Sequence, residues 1–366
     1  MAFGVGILWL LMIANEQVSN QFVKNASGTD MVVGAKGSPL QLVLSAVYQI
    51  DAPTGNIPLH EAEKVMNHRL VKATLPLSYG DNYKGYRIVG TDTSFTTWMN
   101  LDLEKGSNFS KSLEIVIGAE IAEKTGLDVG AYFHGSHGFD EAGESHDHAD
   151  YKVVGVLEKS GSPADRLLFC STASVWDMHT HEGEASNPEI TALLVRFSSP
   201  LGMVSLPRWI NEKTSMQAAL PAIEINRLIA LLGQGLGFIQ GIAWIIVFIA
   251  AISVFVALYS SLLDRQYELA LMRTLGLSPL GLFVVIELEG LIQAVAGFLL
   301  GILLTYSVLV GILPQLTFYV AGSIQVLDFY QVLKLFAFAI LVGTFAALLP
   351  AIIAARTSIH KTLNNG

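Results

Sequence analysis

The feature that most constrains this chain is a set of long apolar runs confined to its C-terminal third. They extend from about Phe238 to Leu263, Leu282 to Leu313 and Val332 to Ala355. A helix needs about 20 mostly apolar residues to cross the hydrocarbon of a bilayer, and each run supplies that. None carries Lys or Arg in its centre; Lys334 stands at the start of the third, where its head can snorkel to the interface. The second run is long enough that it should tilt or protrude. Residues 15–227, by contrast, have an ordinary globular composition. The whole-chain values, 52% hydrophobic, 14% charged and a mean hydropathy of +0.49 over 366 residues, therefore average two unlike parts. A soluble domain carries about a quarter charged residues. The reading is one aqueous domain, residues 15–227, and one membrane domain, residues 228–366.

A further apolar stretch covers residues 1–14, ending before Asn15-Glu16-Gln17. It reads as a first transmembrane helix whose beginning is missing. A secretory signal peptide fits less well, because a basic leader and a small-residue cleavage site are both absent. The expected fold class is therefore a membrane protein of four transmembrane helices, the first short or truncated. A large α+β extracytoplasmic domain sits between helices 1 and 2. Basic residues fix the sides: Arg265 and Arg273 lie between the second and third helices, and Arg356, His360 and Lys361 follow the last. Such segments stay in the cytoplasm. Both chain ends then fall inside and the aqueous domain outside.

Gly237–Gly241 and Gly297–Gly301 have the spacing that lets helix backbones approach closely. Glu287 and Glu289 fall within two turns of the start of the third helix. Carboxylates inside a membrane are functional candidates, but at this depth pairing with Arg273 or with headgroup water is expected rather than proton transport.

Within residues 15–227, β-branched content and alternation predict strands at 71–77, 86–89, 114–117, 152–157, 167–170 and 190–197. Short helices are expected at 58–67, 118–125 and 207–214. One cysteine, Cys170, cannot form an intramolecular disulfide, so an ordinary core must hold this part together, with the thiol as a small buried apolar group. The net charge of −9 lies mostly here and excludes nucleic-acid binding.

Six of nine histidines cluster in this domain. His134, His137, His146 and His148 lie in HGSHGFDEAGESHDHAD, and His179 and His181 in DMHTHEGE. Imidazoles and carboxylates at short spacing in a Gly-rich loop can fold around Zn²⁺; the alternative is a solvated polar loop. No spacing matches a fixed zinc motif, and no HExxH is present.

The segment with the most specific pattern is DRQYELALMRTLG, residues 264–276, directly after a membrane helix. Arg265, Glu268 and Arg273 interleave with Leu269, Leu271, Met272 and Leu275, a short amphipathic helix stopped by Gly276 and Ser278-Pro279. It could lie on lipid or insert into a cleft of a partner protein. Extended to DRQYELALMRTLGLSPLGLFVVIELEGL, it resembles the loop of FtsX/MacB-type permeases. Arg265, Glu268, Arg273, Gly276, Glu289 and Gly290 occupy the pattern's positions. The ending LLPAIIAARTSIHKTL is similar to that family's closing segment. GTDMVVGAKGSPLQLVLSAVYQIDAPTGNIPL, VIGAEIAEKTGLDVG and YKVVGVLEKSGSPADRLLF resemble its extracytoplasmic domain.

The resemblance implies a mixed membrane-proximal subdomain with an inserted, mostly β subdomain near residues 106–186. It also implies a non-catalytic permease subunit in a bacterial inner membrane, working with a second permease copy and a dimer of cytoplasmic ABC ATPase subunits. Movement driven by ATP on the partner would pass through Arg265, Glu268, Arg273 and Gly276 to the outer domain, a mode called mechanotransmission. A periplasmic adaptor or metal-binding protein would be a further partner. The sequence has no Gly-x-x-x-x-Gly-Lys-Ser/Thr phosphate loop, and Gly34-Ala35-Lys36-Gly37-Ser38 is too short to be one; ATP chemistry belongs to another chain. Two alternatives remain: a membrane-anchored zinc receptor or delivery protein using the histidine loop, and a regulator of a cell-wall hydrolase.

Overall fold

In the computed structural model, residues 2–13, 28–137, 145–179, 188–316 and 329–356 are described. They form two compact units: residues 28–230, and residues 2–13, 231–316 and 329–356.

The first unit is built on one large sheet. Its strands are β1 (Met31–Ala35), β3 (Val71–Tyr83), β4 (Tyr86–Thr91), β5 (Leu103–Gly106), β6 (Glu114–Ile117), β7 (Tyr132–His137), β8 (Ser145–Leu157), β9 (Leu168–Ser171), β11 (Ala192–Phe197) and β12 (Met216–Ala219). The order is β12-β1-β11-β3-β4-β9-β6-β8-β5. A separate pair joins β2 (Ile57–Pro58) and β10 (Glu189–Ile190). β7 bridges β3 and β8, with Asp81 opposite His137 and His134 opposite Asp150. The hydrogen-bonded path β3-β4-β9-β6-β8-β7-β3 therefore closes a ring of six strands. This ring is not confined to residues 106–186; it takes β3 and β4 from before them.

Period-2 alternation assigns each side chain to a core. Ile88, Ile115, Ile117, Leu168 and Cys170 pack with Phe133, Tyr151 and Val153 in one cluster. Their neighbours Val89, Val116 and Phe169 face the opposite way, into a second cluster with Leu42, Val43, Phe95 and Trp98. Ile115–Ile117 and Leu168–Cys170 are apolar at every position because both faces of these strands are buried. Toward the other edge, Met31, Val33, Leu193 and Val195 meet α3 (Leu59–Met66) and α7 (Leu201–Lys213).

Helix ends follow local chemistry. In α2 (Pro39–Ala46), the Ser38 hydroxyl accepts from the Gln41 amide and Pro39 occupies the first turn. α4 (Phe95–Met99) buries Phe95 and Trp98. α5 (Ala119–Thr125) carries Glu120 early and Lys124 late, paired at 2.6 Å. α6 spans Thr172–His179. α7 differs from expectation: it begins at Leu201, six residues earlier, and holds Pro207 in its interior. Leu206 and Ile210, buried against the sheet, fix the helix on both sides of the proline.

The second unit holds α1 (Ala2–Ile13), most of α8 (Pro221–Asp264), α9 (Gln266–Thr274), α10 (Pro279–Leu316) and α11 (Phe329–Arg356). Among the described residues three stretches are long and apolar enough to cross a membrane: Gly237–Asp264, Pro279–Gly311 and Phe329–Arg356. α1 is shorter than a span requires. It is nonetheless packed inside its unit: Trp9 is fully buried, and the Thr305 hydroxyl lies 2.9 Å from the Gly6 carbonyl oxygen and 3.0 Å from that of Gly301. Among the described residues the close approach expected at Gly237–Gly241 is not seen; neither glycine has a described neighbour within 4 Å of its Cβ direction. α10 and α11 instead meet where a Cβ on Gly290 would stand 2.5 Å from Ala347 Cβ, and where one on Gly343 would run into Ala294.

Candidate functional site

The segment between the second and third apolar helices folds as its own element. α9 follows α8 after one residue, Arg265, whose backbone marks the break. Glu268 stands in its first turn and Arg273 in its last, both favourable to the helix dipole. At its end, the Gly276 amide donates to the Arg273 carbonyl (3.2 Å) and the Leu277 amide to that of Met272 (3.1 Å). That pair of bonds is a Schellman motif, and it needs the left-handed backbone that Gly276 supplies at φ +102°. Ser278 then caps α10, its hydroxyl accepting from the Gly281 amide at 3.1 Å.

α9 has two faces. Leu269 and Ala270 are buried, and Leu269 packs with Leu262 of α8, Leu282 and Ile286 of α10, and Ala351 and Ala354 of α11. Tyr267, Leu271, Met272 and Leu275 are exposed, Leu275 to 81%. Arg265, Glu268 and Gly276 are exposed and Arg273 is half-buried. A nine-residue helix is too short to persist alone in water; its order rests on the cluster that ties it to all three long helices. Of the four predicted residues, Glu268 and Arg273 thus lie on α9, and Arg265 and Gly276 flank its two ends. Of the exposed apolar residues beside them, Leu271, Met272 and Leu275 belong to the amphipathic pattern read from the sequence, and Tyr267 is the one that reading missed.

The histidines are placed differently. Most of the stretch read as a loop is strand: His134 and His137 lie in β7, His146 and His148 in β8, and His179 ends α6. Phe133 and Tyr151, directly opposite each other and buried in the ring, pin that pairing. His134 Nδ1 stands 2.6 Å from Asp150 Oδ1. The side chains of His137, His146, His148 and His179, and His181 altogether, lie outside the described residues. Among the described residues no three His, Cys, Asp or Glu side chains are grouped to hold a metal.

Cys170 is fully buried, and burial pushes its thiol far above the ordinary range. It is a packing residue of the ring. Glu287 does not pair with Arg273: both its carboxylate oxygens are shielded and without a hydrogen-bond partner.

Comparison with known families supplies what geometry alone does not. Residues 1–205 match the model of the MacB-like periplasmic core domain, and residues 241–359 that of the FtsX-like permease C-terminal domain. The chain belongs to the FtsX/MacB-like ABC transporter permease family. It is an integral membrane protein with a large periplasmic-type domain and three long apolar helices. Permease subunits of this family are generally non-catalytic.

Among solved structures, the FtsX/MacB-like chain is similar to the periplasmic region of MacB from Actinobacillus actinomycetemcomitans. The identity is 11%, the TM-score 0.37, and the match covers 57% of this chain and 97% of that one. It is also similar to the extracellular domain of the noncanonic ABC-type transporter YknZ from Gram-positive bacteria, at 14% identity and TM-score 0.34, covering 51% and 98%. No curated protein matches the chain.

Proposed function

We propose that this permease couples ATP hydrolysis on a separate cytoplasmic ABC ATPase dimer to movement of its periplasmic-type domain, with α9 as the coupling helix. The single observation behind this reading is the two-faced packing of α9. One face is fixed by Leu269 to the ends of α8, α10 and α11, while the other offers Tyr267, Leu271, Met272 and Leu275 to a partner. A load applied to the exposed face reaches all three long helices through one apolar cluster, without needing α9 to refold. Arg265 and Glu268 flank the exposed patch and set its charge pattern. In this proposal the chain works beside a second permease copy in a bacterial inner membrane, with the larger unit in the periplasm and a periplasmic adaptor as a further partner. It serves export or release of a substrate on the outer side.

The test is reconstitution with the ATPase. Glu268→Ala and Tyr267→Ala should insert and fold normally but lose permease-dependent stimulation of ATP hydrolysis. Wild-type stimulation in both variants would sink the assignment of α9.

Loose Zn²⁺ uptake at the β7–β8 hairpin is a separate proposal, supported by the His134–Asp150 contact. A carboxylate on one ring nitrogen orients an imidazole for metal binding through the other. His134→Ala should weaken zinc binding by the full chain at least about tenfold, since one lost ligand contact worth ~1.4 kcal/mol has that effect. Unchanged affinity would remove this role.

A further inference from the structure

Glu287 lies on α10 eight residues beyond Pro279, about 12 Å along the helix axis. Its side chain is half-buried, and the polar end is the buried part: neither oxygen is accessible and neither has a hydrogen-bond partner. An acid on a lipid-facing helix turns its head toward the interface. This one turns inward.

The elements packed against α10 are α11, through Gly290–Ala347 and Gly343–Ala294; α8, whose Leu258 stands 3.4 Å from the Cβ direction of Gly290; α1, at Gly301; and α9, through Leu269. The titratable groups they bring within this unit are Glu289 and Tyr306 on α10, Tyr259 and Asp264 on α8, Tyr330, Lys334 and Arg356 on α11, and Tyr267, Glu268 and Arg273 on α9, with Arg265 at its start. None gives either oxygen of Glu287 a partner.

An ionised carboxylate without hydrogen bonds is among the least tolerated groups in an apolar interior. Three species could neutralise it. A hard metal ion would need several more oxygen donors, and no such group exists among the described residues. Among the described residues no cationic side chain reaches it. A proton does not require further ligands. We infer that Glu287 is a proton-binding site of the membrane unit, occupied in the helix arrangement described here. Ionisation needs water or a cation at the carboxylate, so proton release accompanies separation of α10 from its neighbours.

The test uses the full chain in lipid nanodiscs at neutral pH, treated with dicyclohexylcarbodiimide. A protonated carboxyl adds across this reagent: the acid proton goes to a carbodiimide nitrogen and the carboxyl oxygen bonds to the central carbon. The O-acylisourea then rearranges to an N-acylurea, with nothing lost. Mass spectrometry of the unsubstituted chain should place an adduct on Glu287. The infrared difference between wild type and Glu287→Gln should show loss of one protonated-carboxyl carbonyl band. No adduct on Glu287, or a difference spectrum that loses an ionised carboxylate band instead, overturns the proposal. The second result would mean that a cation, such as a basic residue of a second copy, neutralises the site.

Discussion

Leu269 and Leu271 stand two residues apart on α9, with opposite surroundings: Leu269 is 7% exposed and Leu271 47%. Replacing each with Ala separates the helix's attachment from its recognition. Leu269→Ala empties a position shared with Leu262, Leu282, Ile286, Ala351 and Ala354. A buried Leu→Ala change costs about 2–5 kcal/mol; Leu269 keeps a little solvent exposure, so the lower half of that range, about 2–3 kcal/mol, is expected. For a nine-residue helix that cannot persist alone, this is enough to make α9 open locally. Leu271→Ala changes stability by less than about 0.5 kcal/mol, as exposed substitutions do. In the coupling reading it also removes a contact worth about 1–2 kcal/mol, weakening ATPase binding by roughly 5–30-fold. Two assays distinguish these outcomes. Hydrogen exchange across residues 266–274 should accelerate at least about tenfold in Leu269→Ala and stay unchanged in Leu271→Ala. Titration with the ATPase should show weakened binding in both variants, for different reasons. Equal exchange in the two variants would refute the anchoring argument, and wild-type affinity in Leu271→Ala would refute the recognition argument.

Gly276→Ala should destabilise the α9–α10 turn by about 1 kcal/mol, because φ +102° strains any residue with a Cβ, while Gly276→Asn should cost less. Proteolysis at residues 275–278 reads the difference. Gly343→Leu should lower the detergent-state melting temperature, since its side chain would occupy the space of Ala294; overpacking of this kind costs about 1–3 kcal/mol. Burial raises Tyr79 from 10.0 to about 12 despite the Arg87 guanidinium beside it. Its contribution to stability is therefore complete below pH 10 and lost as pH rises toward 12, with a slope of up to about 1.4 kcal/mol per pH unit. Tyr79→Phe should flatten the alkaline melting profile over that window. The Cys170 thiol, raised by burial, should resist iodoacetamide in the folded chain and react on unfolding, and alkylation under native conditions would contradict its place in the ring.

Features that depend on contiguous chemistry can be read from the residues alone. The three long apolar stretches were legible to within a few residues, because about 20 apolar residues in a row admit few other structures, although α8 itself begins at Pro221, well before the expected Phe238. The start and stop of α9 were legible because the charges, the amphipathic period and Gly276 all lie in one short window. The strands β3, β4, β6, β8 and β9 were legible by β-branched content or alternation, though β3 and β8 run longer than predicted. The faces and the closures came only with the fold. Ile115–Ile117 and Leu168–Cys170 are apolar on both sides, so their composition could not say that Ile115 and Cys170 enter the ring while Val116 and Phe169 leave it. Closing the ring requires β7 to pair with β3 more than fifty residues upstream, a contact with no local sequence signal, and it turned a presumed histidine loop into a hairpin. Leu269 and Leu271 are the same residue type two positions apart. Only the convergence of the ends of α8, α10 and the more distant α11 makes one an anchor and leaves the other open to a partner.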